Sequence, residues 1–306
     1  MRRLVIIFLL TTACIAMQAQ PFAITWLHHP TTSQGEQVWF STVVSLDDAA
    51  ADAILSVTTT GRVDIYVNER NVATDALIPY RESDEPSAIT TDFDIARFLR
   101  KGDNIIAVWY APLGTTVTDK QIAVVLSGRY EGGEQFVFGS DNGWICRKAN
   151  RINTSTGEAC DATSYTLKWN SDDIDIATWL PAETLKTDDV SEHHTIYDRY
   201  IVEKVSRIRI QESFDIDNGT LIYDFGNAFR GWVRATMRGR KRGEKVTIDN
   251  LEYICKAQTD EQAFHKFTIG QHRRVAIKST GQLLPENIFT LEAIEIASEY
   301  RTFSFY

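Results

Sequence analysis

The sequence has few cysteines, and this scarcity excludes one class of secreted protein. Four of the 306 residues are cysteine, and Cys14 lies in the N-terminal apolar segment. The remaining Cys146, Cys160 and Cys255 are an odd number, which excludes the dense disulfide framework of small secreted domains. A disulfide between Cys146 and Cys160 stays open, because spacing alone does not establish one.

Metal-binding motifs are also missing. The sequence contains neither C-x-x-C nor H-E-x-x-H, and four of its six histidines form the adjacent pairs His28-His29 and His193-His194. Neighbouring residues on a strand point to opposite faces, so neither pair can easily ligate one ion. We therefore expect no metal and no cofactor.

Basic charge is scarce. The chain carries 32 basic and 41 acidic residues, a formal net charge of −9, and removal of Arg2 and Arg3 with a signal peptide makes it more negative. Such a surface repels phosphate groups, which argues against nucleic acid and anionic lipid as partners. One basic run, residues 234–245, predicts a solvated hairpin turn.

No apolar run is long enough to cross a membrane, which takes about 20 residues. The run Leu4 to Leu10 follows two arginines and precedes small or polar residues that end at Ala19. This pattern predicts a secretory signal peptide over residues 1–19, cleaved before Gln20, and export to the periplasm or the extracellular space. Lipid attachment at Cys14 is an alternative. We expect no membrane insertion after cleavage.

Short alternating segments rich in Val, Ile, Thr, Tyr and Trp predict antiparallel sheets and an all-β fold. The predicted strands are Val38–Ser45, Asp52–Thr59, Arg62–Asn68, Asn104–Tyr110, Gln121–Tyr130, Gln135–Gly139, Thr220–Tyr223, Gly231–Arg238, Lys245–Ile248, Phe267–Ile269, Arg274–Lys278 and Phe289–Ile296. One helix of one or two turns is predicted in 92–104, with Asp92 or Asp94 as its N-cap and Gly102 at its end.

The mature length of nearly 290 residues exceeds what one core usually organises, so we expect two domains. The polar, aperiodic stretch 181–195 indicates the boundary between them. The predicted organisation is a first β-sandwich over 20–186, a linker over 187–195, a second β-sandwich over 196–300 and a tail over 301–306.

Short matches to catalytic motifs occur without the other sequence elements that catalysis would need. Asp224-Phe225-Gly226 matches the magnesium-binding tripeptide of kinases, but the upstream phosphate loop, strand lysine and H-R-D loop are missing. We expect a structural turn there, with Asp224 bonded to nearby backbone amides. Carboxylate pairs such as Asp172-Asp173 fall in loops, where solvated acids are the rule, and G-x-S-x-G is missing. We therefore assign no catalytic residue.

Aromatic residues are abundant, with seven Trp, eleven Tyr and fifteen Phe. A pyranose can stack its C–H face on such a ring while nearby polar groups bind its hydroxyls. This combination makes a set of aromatic and polar residues candidates for sugar binding. They are Trp109, Tyr110, Asp141, Trp144, Trp169 and Asn170.

Several short motifs follow one another along the chain. They are DIYVNER with Asn68, residues 91–110, Asp141 with Trp144, GEACDAT from Gly157, and YDFGN followed by Gly231-Trp232-Val233. In this order they resemble the N-terminal part of bacterial, Bacteroidetes-like α-L-rhamnosidases, from about Ala23 to Ile296. Departures are Glu69 in place of glycine, Cys160 in place of tyrosine and a glutamine missing before Asn227.

The resemblance implies a galactose-binding-like jelly roll followed by a second sandwich, modules that give structural support and sometimes bind sugar. Family members hydrolyse rhamnosides with carboxylates in a helical barrel that follows these sandwiches. Since these 306 residues do not include that barrel, the resemblance transfers no catalytic acid or base to this chain.

Three hypotheses follow. The first is a secreted, non-catalytic accessory protein that binds a complex polysaccharide or oligosaccharide through an aromatic and polar surface. The second is a truncated or split α-L-rhamnosidase-like hydrolase whose barrel is encoded elsewhere. The third is a structural interaction scaffold whose tryptophans all lie in cores.

Overall fold

The computed structural model describes residues 24–81, 85–141, 143–188, 191–193, 198–208, 213–217 and 219–300. Regular structure in these ranges consists of strands and three-residue 3-10 turns, which confirms the all-β class. The predicted signal peptide and the predicted tail lie outside them. None of the helices in the described part of the chain has the length and apolarity that a membrane span requires.

The strands that precede residue 194 are β1 (Ile24–His28), β2 (Glu36–Leu46), β3 (Ala50–Thr59), β4 (Arg62–Val67), β5 (Arg70–Asn71), β6 (Ile89–Asp94), β7 (Gly102–Ala111), β8 (Ile122–Tyr130), β9 (Gln135–Phe138), β10 (Ile145–Asn153), β11 (Glu158–Asp161), β12 (Leu180–Pro181), β13 (Glu183–Thr187) and β14 (Glu192–His193). The later strands are β15 (Asp198–Ile208), β16 (Ser213–Asp217), β17 (Thr220–Met237), β18 (Lys245–Ile248), β19 (Leu251–Ile254), β20 (Glu261–Phe264), β21 (Gly270–Ser279) and β22 (Ile288–Tyr300). Single 3-10 turns cover Ala96–Phe98, Ala162–Ser164, Ile176–Thr178 and Pro285–Asn287.

The first sandwich packs two sheets face to face. Over the described residues, a seven-stranded sheet has the order β13-β1-β8-β3-β6-β14, with β9 on β8. It faces the β10-β2-β7-β4 part of a larger sheet. Alternate residues of β2 and β7, such as Phe40 and Val108, point into the core against Leu55 and Val124. This burial follows from the period of two along each strand.

The second sandwich forms because one long strand belongs to two layers. The first half of β17 pairs with β21, and its second half pairs with β22 and β20. The register with β21 shifts between Asp224 and Phe229, and β17 passes from β21 to β22 at Gly231, which pairs with both strands. Buried residues from both layers, including Tyr223, Val233, Ile248 and Ile277, form the core between them.

The two sandwiches share one sheet. Strand β11 pairs antiparallel with β10 and parallel with β19, so hydrogen bonds run without a break from β7 and β2 to β18 and β21. Cys160 lies beside Tyr253 in this pairing. The predicted domain boundaries stay a prediction, and β14, which falls in the predicted linker, pairs with β6 of the first sandwich.

Two local predictions need correction, and the structure refines a third. Phe267–Ile269 is a loop and not a strand, because its backbone turns around the buried Glu158 carboxylate. The predicted turn at Gly226 is an irregularity inside β17, although Asp224 Oδ1 does accept from the Gly226 amide at 2.8 Å as expected. The predicted helix of one or two turns is a single 3-10 turn, Ala96–Phe98, and Asp94 Oδ1 accepts from the Ala96 amide at 3.3 Å as expected.

The cysteines in the described residues are all free. Cys146, Cys160 and Cys255 are buried as thiols, so the structure contains no bridge between Cys146 and Cys160. The first lies in the core of the first sandwich, and the other two lie in the core of the second. Burial raises the pKa of Cys146 to about 12, which keeps this thiol protonated and unreactive.

Candidate functional site

The structure separates the six predicted sugar-binding residues. Trp109, Tyr110, Trp144 and Trp169 are buried, with at most 6% of each residue exposed. Asp141 is exposed, and Asn170 is half-buried. A buried ring has no open face on which a pyranose can stack, so the stacking geometry is missing at these four residues. Their contact with sugar stays a prediction.

Strand geometry explains why the adjacent Trp109 and Tyr110 lie in different places. Successive side chains of β7 point to opposite faces. Tyr110 enters the core of the first sandwich, whereas Trp109 lies on the outer face beside Trp39, its cross-strand partner on β2. That outer face is covered by segments from elsewhere in the chain, which bring in Trp169 and Phe267.

These residues form an aromatic cluster, defined as Trp39, Tyr66, Trp109, Trp169 and Phe267. The Trp39 and Trp169 rings stack with centroids 5.3 Å apart, and Trp109 meets both rings edge-on. Phe267 comes from the loop after β20, so the cluster joins the first sandwich to the second. Pairs with such geometries contribute about 0.5–1.5 kcal/mol each beyond area burial.

A buried carboxylate lies beside this cluster. Glu158, the first residue of β11, is fully buried and its Oε1 accepts from Arg151 at 3.2 Å and from Gln37 at 3.1 Å. Its Oε2 accepts from the Lys266 amide at 2.7 Å and from the Thr268 hydroxyl at 3.3 Å. The carboxylate therefore bonds to groups from both sandwiches.

Further bonds connect Glu158 to its surroundings. Gln37 donates to Asn153 Oδ1 and accepts from Trp109 Nε1, each at 2.8 Å. Arg151 also donates to the Phe264 carbonyl at 2.8 Å. We call Gln37, Arg151, Asn153, Glu158 and the backbone of 264–268 the junction network.

Electrostatics keep Glu158 ionised. Burial opposes ionisation, but the Arg151 charge, the Lys266 amide and other donors outweigh it, so the pKa of Glu158 lies below its usual value. A buried ion pair is retained only when its remaining hydrogen-bonding groups are satisfied. Glu158 satisfies its two oxygens with donors from β2, β10 and the loop after β20.

The chain approaches itself closely at Gly157, just before β11. A Cβ atom at this position would lie 2.1 Å from the Asn250 carbonyl oxygen. The Asn250 carbonyl accepts from the Glu158 amide at 3.1 Å, and the Asn250 side chain donates to the Thr156 carbonyl at 2.9 Å. The junction thus has room for glycine only.

A histidine pair lies nearby in the second sandwich. His272 Nδ1 is 2.6 Å from Asp249 Oδ2, and His265 Nε2 is 2.7 Å from Asn250 Oδ1. A carboxylate and an imidazole arranged in this way can orient a catalytic base. Here the free His272 Nε2 is buried against Gly270, whose added Cβ would lie 2.6 Å from it, so a substrate has no access to this nitrogen.

Asp141 and Trp144 lie together at what we call the end pocket, a cavity of about 210 Å³ between the two sheets of the first sandwich. Thr42 and Ile106 line it from one sheet, and Phe138 closes it from the other. The Asp141 side chain accepts from the Gly143 amide at 2.9 Å. The pocket thus combines an exposed carboxylate with apolar walls.

No group of three or more His, Cys, Asp or Glu side chains that could hold a metal ion occurs among the described residues.

The sequence analysis did not predict the role of Glu158, although the GEACDAT motif contains this residue. The sequence of β7 does indicate that its outer face is covered, because residues 105–111 read IIAVWYA without alternation. Such a run is typical of a strand that is buried on both faces.

Comparisons with known proteins agree with this architecture. Residues 48–197 match the family model of the alpha-L-rhamnosidase N-terminal domain. The α-L-rhamnosidase of Formosa agariphila is 21% identical over 286 residues, which cover 78% of this chain and 30% of that protein.

Solved structures give the same fold. The α-L-rhamnosidase from Aspergillus terreus matches with a TM-score of 0.75 and 17% identity, over 90% of this chain and 36% of that one. The enzyme from Dictyoglumus thermophilum matches with a TM-score of 0.74 and 19% identity, over 90% of this chain and 34% of that one. The Streptomyces avermitilis enzyme, solved with L-rhamnose, matches with a TM-score of 0.72 and 19% identity, over 87% and 29%.

The chain spans about a third of the length of these relatives. At these identities the structural likeness concerns the fold, and the family model matches residues that form most of the first sandwich. The chain therefore resembles the N-terminal region of α-L-rhamnosidases, and residues 48–197 match the model of the N-terminal domain of that family.

Proposed function

We propose that this chain is an exported, non-catalytic accessory module of the α-L-rhamnosidase type, in which two sandwiches act as one rigid support. The observation that carries the proposal is the junction network, in which Glu158 accepts from Arg151 and Gln37 on one side and from residues 266 and 268 on the other. Separation of the two sandwiches would remove the Lys266 and Thr268 donors from the buried Glu158 carboxylate, and the loss of these hydrogen bonds opposes it.

The secondary structure of the described residues supports the non-catalytic part of the proposal. Their helices are single 3-10 turns, whereas the resemblance places the family's catalytic carboxylates in a helical barrel. The buried histidine pair has no access for a substrate.

The proposal is tested with an aryl α-L-rhamnoside and the purified chain. We expect no release of the aryl alcohol above the buffer rate. Release of the aryl alcohol would contradict the non-catalytic assignment if the activity co-purifies with the chain and a substitution that preserves the fold abolishes it.

Carbohydrate binding is a second candidate function, and the end pocket supports it. The pocket places the Asp141 carboxylate beside apolar walls, a combination that suits the hydroxyls and the C–H face of a sugar. The partner would be a complex polysaccharide or oligosaccharide, as the sequence predicts. We expect affinity gels that contain such a polysaccharide to retard the chain.

A pair of variants tests the pocket. Asp141→Ala removes the exposed carboxylate, and we expect it to weaken retardation. Asp103→Ala, at another exposed aspartate of the first sandwich, serves as the matched control and should leave retardation unchanged. Equal retardation of the two variants would argue against this pocket. So would the absence of any retardation of the wild-type chain by the polysaccharides tested.

A further inference from the structure

A groove crosses the outer face of the shared sheet where the two sandwiches join. It has a volume of about 320 Å³, at the lower end of the roughly 300–1,000 Å³ typical of ligand sites. We call it the outer groove. Its lining comes from β10, β11, the turn after β11, β18 and β19.

The register of the strands explains why a depression forms there. Ile152, Ala159 and Glu252 are neighbours across β10, β11 and β19, so their side chains share one face of the sheet. Their neighbours along the chain, such as Arg151 and Tyr253, point to the opposite, buried face, and the buried Cys160 also lines the groove. Because Ala159 is small and flanked by larger residues, the outer face is hollow at this point.

The walls combine apolar and polar groups. Ile152 is 42% exposed and Ile254 is half-buried, so aliphatic surface faces solvent on two sides of Ala159. Lys245 and Glu252 form an ion pair at 2.6 Å on the same face. Asp161 also lines the groove, so its charged residues are one lysine and two carboxylates. This balance disfavours a phosphate or a carboxylate as ligand and leaves a neutral ligand favoured over an anion.

A second observation indicates a missing hydrogen-bond donor. Asn150 lines the groove and is 92% buried, as its exposed fraction is 8%. Its Nδ2 donates to the Asp161 carbonyl at 3.1 Å and to Cys160 Sγ at 3.6 Å, but its Oδ1 has no hydrogen-bond partner. Buried acceptors normally have a partner, so this oxygen favours a ligand that can donate to it.

We propose that the outer groove binds one pyranose unit of a neutral carbohydrate. This inference rests on the proposed carbohydrate binding and names a second site for it. The C–H face of the sugar would cover Ala159 and the neighbouring isoleucines, and its hydroxyls would bond to the ion pair and to Asn150. Because Asn150 Oδ1 is closed off from solvent, its side chain must turn slightly when the sugar binds.

The experiment is isothermal titration of the full chain with free L-rhamnose, D-galactose and D-glucose, followed by amide shift mapping with the sugar that binds. We expect at least one sugar to bind and to shift the amides of Ala149, Ala159 and Ile254. Ala159→Leu fills the groove from a half-buried surface position, so it should fold and weaken binding about tenfold or more.

Ser127→Leu is the matched control, since it adds the same side chain to the outer face of the other sheet. It should leave binding unchanged. Binding that Ala159→Leu does not alter would overturn the inference, as would binding of none of the three sugars. If polysaccharide retards the wild-type chain, and Asp141→Ala weakens this retardation whereas Ala159→Leu does not, the chain binds carbohydrate at the end pocket and not at the outer groove.

Discussion

Removal of the Glu158 carboxylate should destabilise the whole chain, because this group satisfies donors from both sandwiches. In Glu158→Ala the Arg151 guanidinium, whose side chain is 5% exposed, would keep its charge in the interior without a counter-ion. Breaking a buried pair in this way costs about 3–5 kcal/mol. The Lys266 amide and Gln37 Nε2 would also lose an acceptor, at about 1–3 kcal/mol for each group left unsatisfied.

The assay is urea unfolding followed by tryptophan fluorescence, since Trp39, Trp109 and Trp169 lie within the aromatic cluster. We expect Glu158→Ala to lower the free energy of unfolding by at least about 3 kcal/mol. The matched control is Glu252→Ala on β19, which removes an exposed ion pair with Lys245 and should cost less than about 1 kcal/mol.

A double variant separates the pair from its surroundings. Replacement of both Arg151 and Glu158 by apolar residues of similar volume removes the unpaired charge and should recover part of the loss. If Glu158→Ala lowers the free energy of unfolding no more than Glu252→Ala does, the junction network does not stabilise the fold.

Two further predictions concern the junction and its surroundings. Gly157→Ala should lower the free energy of unfolding by about 1–3 kcal/mol, because its Cβ would meet the Asn250 carbonyl. Gly132→Ala is the control and should be neutral, since no atom lies within 4 Å of a Cβ added there. Equal effects of the two substitutions would show that the chain does not approach Gly157 closely. Burial lowers the pKa of His265 to about 4 from 6.5, so the unfolded chain binds more protons below pH 6.5 and stability falls as the pH falls towards 4. From pH 7 to pH 5 this residue should account for a loss of about 2 kcal/mol in urea unfolding, and His265→Gln should flatten the profile by that amount. An unchanged profile in the variant would contradict the assignment.

The local β pattern was predictable because it depends on neighbours in the sequence. Strands β2, β3, β4 and β8 follow from alternation and turn residues, and the structure has them within a few residues of the predicted bounds. Strand β17 was predicted as two strands because Gly226 and Asn227 are typical of turns. Its continuity depends on pairing with β21, β22 and β20, which single-strand patterns do not contain.

The site was less predictable because burial on the outer face depends on distant segments. Trp109 is covered by Trp169 and Phe267, which lie 60 and 158 positions further along the chain. The parallel pairing of β11 with β19 joins residues about 93 positions apart, and no local signal specifies it. The family motif placed Glu158 in a recurring position but did not state its contacts.

Calorimetry shows whether the two sandwiches unfold as one cooperative body. We expect a single thermal transition whose calorimetric enthalpy equals its van't Hoff enthalpy, and a separation into two transitions in Glu158→Ala. Two independent transitions in the wild-type chain, with midpoints that Glu158→Ala leaves unchanged, would contradict it.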